Sequence, residues 1–441
     1  MTQAQSPAGA LLSDAMEHGA GHQGWSPSRR RVALGALMVA YGLNIADRQL
    51  ISILAGPIKA DLRLSDTEIG LMGGVAFAIF YAACALPLSF LADRWSRANV
   101  IAIGLGLWSF FTLLCGAAQS GLHLFLARLG VGFGEAGGAA PSFSLVASYY
   151  PPEGRARAVA LLNFASPIGA GLGPLLGAVI ASLLHWRWAF IIAGAVGLIF
   201  VPFFRWAVRD PSPAIRPKGV EAIAAMSADE RKASIGRLLR SHCFWFLAIG
   251  SAISSMVLNG MVFWLPSFLQ RSFGLDIISS AVLFAMLTTL GGIVGVWVSG
   301  WTMDRFGTNK RLYVLYPAIA GLASLPFYSI GLNAASIWIA TPLLFVGVVL
   351  SFSFPTPIYV AVQHLVPAGL RSTSTATFLF INNSIGIGLG IVLLGFISDR
   401  LASTFGTDSL KYSLLATLIL YPIAAIPFWI SARSIKRGWI A

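Results

Sequence analysis

Apolar residues in this chain fall in long runs separated by short polar stretches that hold most of the lysine and arginine. A helix rises about 1.5 Å per residue, so roughly 20 apolar residues cross the hydrocarbon core of a bilayer with every backbone amide bonded internally. A window of about 19 residues predicts twelve such spans. The first six lie at roughly 33–55, 68–92, 99–119, 122–147, 158–182 and 187–208. The second six lie at roughly 241–270, 279–302, 312–332, 336–362, 373–397 and 412–434. This divides the chain into a disordered tail (1–28), a six-helix bundle (29–208), a linker (209–240) and a second six-helix bundle (241–441). In the linker, Ser227-Ala228-Asp229-Glu230 has the form of a capping box. It predicts a short amphipathic helix carrying Arg231, Lys232, Arg237 and Arg240, with a solvated connection as the competing reading.

Composition agrees with the pattern. Hydrophobic types make up 56% and charged types 11%, with mean hydropathy +0.76, whereas a soluble domain has about a quarter of its residues charged. The net charge of +13 sits in short clusters between apolar runs, as orientation signals do, and this excludes a nucleic-acid surface. With the N terminus inside, most basic residues fall on inner segments. The prediction is a multi-pass protein of the cell (inner) membrane with both termini cytoplasmic. Cys84, Cys115 and Cys243 lie in apolar stretches without disulfide or metal-ligand spacing. No metal or other cofactor is expected, and no nucleophile has a plausible base, so an enzyme is not expected.

The two halves repeat each other. Asp93-Arg94-Trp95-Ser96-Arg97 follows the second span, and Asp304-Arg305, running on to Arg311, follows the eighth. Arg155 and Arg157 before the fifth span correspond to Arg371 before the eleventh, and both of those spans are rich in glycine. Parallel repeats of this kind belong to transporters.

Charges interrupt the apolar pattern at few places. Asp47 and Arg48 lie deep in the first span, Arg128 and Glu135 deep in the fourth. A charged group at membrane depth costs from about 2.5 to more than 10 kcal/mol, so it faces water or a partner inside the bundle. Seven residues at about 100° each bring Arg128 and Glu135 to nearly one helix face. Gly132-Phe133-Gly134-Glu135-Ala136-Gly137 matches a dinucleotide fingerprint, but it sits mid-span, where small residues let helices approach.

The doubled acid–arginine loop resembles the cytoplasmic signature of the major facilitator superfamily, with Ser89 where the first copy usually has glycine and Gly300 keeping it in the second. The resemblance implies an all-α membrane protein with the major facilitator fold: 12 transmembrane helices in two six-helix halves. More narrowly, Asn44-Ile45-Ala46-Asp47-Arg48, the Arg128–Ala136 stretch and Pro167 with Gly169 to Gly173 resemble elements of bacterial Spinster-like (sphingolipid and lysophospholipid) transporters. That implies a small amphipathic substrate exported by alternating access with protons, from a monomer in contact with membrane lipid. Export of small hydrophobic compounds or drugs is the alternative.

In such a fold the first and fourth helices border a central cavity. Asp47 and Arg48 lie ~10–12 Å and Arg128 ~9 Å from the same membrane face, which puts Asp47 within pairing range of Arg128 and Glu135 near the midplane. Burial favours the neutral carboxyl and a nearby arginine the ionised one, so a mobile arginine makes a proton switch. Asp47 and Glu135 are the expected protonation sites, and Arg128 is expected to partner their carboxylates or to bind the anionic head of the substrate; a static ion pair is the competing reading. Arg48 contacts substrate, pairs with Glu135 or is structural.

In the second half Asn382, Asn383, Tyr359 and Trp264 are candidate cavity residues, with packing open for Tyr359 and Trp264. Asp93, Arg94, Arg97, Arg155, Arg157, Asp304, Arg305 and Arg311 are candidate latches at the inner face; orientation charge alone is the simpler reading. Pro355 and Pro357 should bend the tenth span and Pro266 the seventh.

Overall fold

A computed structural model describes residues 26–210, 236, 241–366 and 371–438. The N-terminal tail before residue 26 and the predicted linker helix from Ser227 to Arg240 lie outside the described residues, except Gly236. Among the described residues the secondary structure is helical, without strands.

The first half comprises α1 (Pro27–Ile53), α2 (Ala55–Leu62), α3 (Asp66–Gly73), α4 (Val75–Arg94), α5 (Arg97–Gly116), α6 (Gly121–Glu135), α7 (Ala139–Tyr149), α8 (Pro152–Leu183) and α9 (Trp186–Ala207). The second half begins with α10 (His242–Phe273), α11 (Ile277–Ala285), a π turn over Met286–Leu290, α12 (Gly291–Phe306) and α13 (Leu312–Leu332). It continues with α14 (Ile337–Ser353), α15 (Pro355–Gln363), α16 (Arg371–Asn383), a second π turn over Ser384–Leu389, α17 (Gly390–Phe405), α18 (Ser409–Thr417) and α19 (Leu420–Gly438).

Helix starts follow local chemistry. Ser26 accepts from the Arg29 amide at the head of α1, and Ser65 with Glu68 forms a full capping box on α3. Nine helical stretches among the described residues are long and apolar enough to cross a membrane. The helices bearing Asp47 with Arg48 and Arg128 with Glu135 are not among the nine; α6 runs only 15 residues before it breaks after Glu135.

Three spans are interrupted, the second and fourth where an unbroken helix was expected and the tenth at the prolines expected to bend it. The second breaks at Gly74, whose missing side chain lets it approach the Gly388 carbonyl of the other half: a Cβ there would lie 2.7 Å from that oxygen. The fourth breaks after Glu135, across Ala136–Gly138, before resuming as α7. The tenth breaks at Phe354, where Pro355 cannot supply an amide to the turn before it. Pro266 lies inside the continuous helix α10.

Within the first half α1 packs along α8, and α5 along α6 and α9. Within the second, α10 packs on α19, and α13 on α14 and α19. The halves meet along two seams. In one, α3 and α4 face α17 and the second π turn; in the other, α8 faces α11 and the first π turn. Hydrogen bonds that cross between halves gather toward the end of the bundle opposite Pro27, where α1 finishes; this is called the far end below.

Candidate functional site

Four ionisable side chains from two helices converge inside the first half. α1 carries Asp47 and Arg48 on neighbouring faces, and α6 carries Arg128 and Glu135 two turns apart. Gly134 brings α6 against α5, where a Cβ would fall 2.5 Å from the Trp108 amide nitrogen; Gly173 likewise brings α8 within reach of the Ala46 backbone, beside Asp47.

Arg48 meets Glu135, Nη2 to Oε2, at 2.7 Å, and its Nη2 also donates to Asn44 Oδ1 at 3.4 Å. Its guanidinium lies 4.3 Å from the Phe77 ring centroid and 5.1 Å from that of Tyr81. Such stacking favours a cation over an aromatic face. Arg128 Nη1 stands 3.6 Å from Asp47 Oδ2, a charge pair too long for a hydrogen bond. Both Asp47 oxygens and all three Arg128 nitrogens are buried without a hydrogen-bond partner. Thr112 of α5 adjoins Asp47.

Exposure separates the pairs. The Arg128 and Glu135 side chains are 0% exposed and Asp47 5%, whereas Arg48 is 23% exposed. Of the four, Arg48 is the most exposed, and Glu135, its partner, is sealed. Phe77 stands between the two arginines, its centroid 6.0 Å from the Arg128 guanidinium as well. Phe77, Tyr81 and Thr112 escape sequence reasoning because aromatic and hydroxyl residues are ordinary in a span; the i, i+4 pairing of Phe77 and Tyr81 on one helix face is the available signal.

Asp47 also borders a cavity of about 140 Å³ inside the first half. Its walls are mostly aliphatic, including Leu50, Leu176, Ile180 and Val196.

In the second half the polar groups are neutral. Asn382 Oδ1 accepts from Ser251 Oγ at 2.8 Å and Ser255 Oγ at 2.9 Å, and Asn383 beside it is half-buried. Tyr359 is half-buried, edge-on to Phe378. Trp264 is fully buried and donates from Nε1 to the Ile391 carbonyl at 2.9 Å, so its surroundings carry the packing reading rather than a cavity wall. Asn259 and Thr288 donate to carbonyls of their own helices.

Of the latch candidates, Arg97 holds Asp210 through Nε, Nη2 and its backbone amide and donates to Ser144 and Ser148. Ser144 and Ser148 lie in the first half and Asp210 just beyond its last helix, so in this structure Arg97 ties the start of the linker to the third and fourth spans. Asp210 is the partner sequence reading missed. Arg94, Arg155, Arg157, Asp304, Arg305 and Arg311 are exposed, and the Asp93 side chain lies outside the described ones. Beyond the spans, the Arg187 guanidinium donates to Asp61 and holds that carboxyl below its ordinary range, so Asp61 stays ionised at neutral pH.

The family model of the Major Facilitator Superfamily matches residues 37–391. An MFS-type efflux pump of Mycolicibacterium smegmatis is 31% identical over 418 residues, which is 94% of this chain and 95% of that protein. Protein spinster of Drosophila melanogaster is 27% identical over 81% of this chain and 60% of its own length. A bacterial homolog of the human lysosomal transporter Spinster, solved in an inward-facing and occupied conformation, superposes with a TM-score of 0.81 at 25% identity. That match covers 95% of this chain and all of the other.

Proposed function

The chain belongs to the Major Facilitator Superfamily, and on that footing we propose that it exports amphipathic, lipid-like molecules by alternating access in exchange for protons. Membership makes it a multi-pass membrane transporter and not an enzyme. The Spinster likeness in sequence and structure supports the lipid-like cargo. The clustering of lysine and arginine supports cytoplasmic termini, which makes the far end the outer face.

One observation carries the mechanism: of four clustered charges Arg48 is by far the most exposed, and its carboxylate partner Glu135 is fully buried. An anionic head group arriving at Arg48 competes with Glu135 for the guanidinium. A carboxylate that loses its cation in a low-dielectric site takes a proton. Substrate binding and protonation are thereby linked through one side chain. Asp47 and Arg128, held at 3.6 Å without hydrogen bonds, form a second and looser pair that can exchange a proton when the halves rock. Apolar residues between the halves would take the tail.

The test is transport in proteoliposomes under an imposed proton gradient, with a labelled lysophospholipid as cargo. Gradient-driven movement that Glu135→Gln and Asp47→Asn uncouple supports the reading; wild-type pH dependence in both removes it. A second reading, export of small hydrophobic compounds, is favoured by the 31% identity to the efflux pump. A lipophilic dye transported in place of the lysolipid would establish it.

A further inference from the structure

Two carboxylates at the far end take no part in the site above. Asp66 opens α3, and its oxygens accept from Nη1 and Nη2 of Arg271, Nζ of Lys59 and Oγ of Ser398, each at 2.7 Å. Arg271 and Ser398 come from the second half. Asp399 of α17 reaches the same helix start: Oδ1 accepts from the Asp66 amide at 3.0 Å, and Oδ2 from the Thr67 amide at 2.7 Å and the Thr67 hydroxyl at 2.5 Å. The first amides of a helix have no partner within it and carry partial positive charge, so an acid placed there is favourable. Here the acid belongs to the opposite half.

The sequence marks the feature. Gly395-Phe396-Ile397-Ser398-Asp399-Arg400 repeats the glycine, three residues, Asp-Arg spacing of Gly300 to Arg305. The earlier copy closes the eighth span. The later one closes the eleventh, which runs the other way and so ends at the opposite face. Gly395 is required by the contact, since a Cβ there would stand 2.7 Å from the Asp66 carbonyl carbon.

We propose that Asp66, Arg271 and Asp399 form a latch that holds the far end shut and must be released before that face opens. This rests on the alternating-access reading. The arrangement is built to be reversible. Lys59 lies on the same half as Asp66 and is 34% exposed, so Asp66 keeps a cation when Arg271 leaves. Arg271 is 23% exposed, and it and the freed α3 amides pass to water.

The experiment uses the full chain with its three cysteines replaced and spin labels at Leu122→Cys and Ser403→Cys, exposed positions near the far end on opposite halves. Pulsed EPR reads their separation without cargo. Asp399→Asn and Arg271→Gln should each raise the ratio of long to short distances about tenfold, and Asp399→Glu should leave it near wild type. Unchanged distributions in Asp399→Asn and Arg271→Gln would overturn the latch. Should Arg271→Gln not fold, Asp399→Asn, which removes charge without volume, decides alone. Because the labels report geometry, failure to move a lysolipid leaves this result standing.

Discussion

The two halves repeat one architecture but fill their interiors with opposite kinds of polar group. The first gathers a buried arginine, aspartate and glutamate and a partly exposed arginine on α1 and α6. The second buries neutral hydrogen bonds: Tyr328, Ser351 and Tyr421 form a chain at 3.0 and 2.8 Å, and Ser251 and Ser255 both donate to Asn382. These neutral groups have met their partners, although Ser280, Ser299 and the Gln270 Nε2 of the same half are buried without one. In the charged half, both oxygens of Asp47 and every nitrogen of Arg128 are buried without one. Satisfied networks hold a packing arrangement in place, whereas incompletely satisfied charges favour whatever next supplies a proton or a counter-ion. On the proposed mechanism, the contrast assigns the change of protonation to the first half and a framing role to the second.

Four substitutions sharpen or break the contrast. The largest effect is expected from Arg128→Ala, which strands Asp47 in the interior and should cost about 3–5 kcal/mol of stability, read as thermal unfolding in detergent. A loss no larger than that from a neutral pair in the second half would erase the distinction. Next is Glu135→Gln, which should lower gradient-driven export about tenfold while leaving exchange without a gradient intact. Its pH profile should be flat where the wild type rises toward the pH at which a carboxyl behind Arg48 gains its proton. Gly134→Ala should cost about 1–3 kcal/mol, because the added carbon presses on the α5 backbone at Trp108. The smallest effect belongs to Tyr421→Phe, about 1 kcal/mol in stability with an unaltered pH profile of transport. A changed profile there would bring the second half into the coupling.

Much of this was legible in the residue pattern. Apolar runs of span length and the doubled acid–arginine loop led to the fold because lipid leaves the backbone few alternatives. The deep charges stood out because each is costly alone, and helical spacing with depth placed Asp47 beside Arg128. Phe77 and Tyr81 did not stand out, since nothing in an aromatic residue says whether it meets lipid or a guanidinium. Asp66, Arg271 and Asp399 were hidden for a different reason: at span ends charges are expected, and hydropathy cannot tell an orienting charge from a clasp. Helix breaks at Gly74 and after Glu135 depend on how close a neighbouring helix comes, which is long-range information. Asp210 pairs with Arg97 across more than a hundred residues of chain for the same reason.

The π turns at Met286–Leu290 and Ser384–Leu389 have a mechanical consequence. Each stores one residue beyond what an α-helix of equal rise would hold, and each lies on a seam between the bundles. Moving that surplus along the helix, as a wrinkle travels along a carpet, turns the intervening side chains by about 100° while the ends of the rod stay where they are. A shaft that can twist locally without lengthening lets neighbouring surfaces slide past one another inside a membrane of fixed thickness.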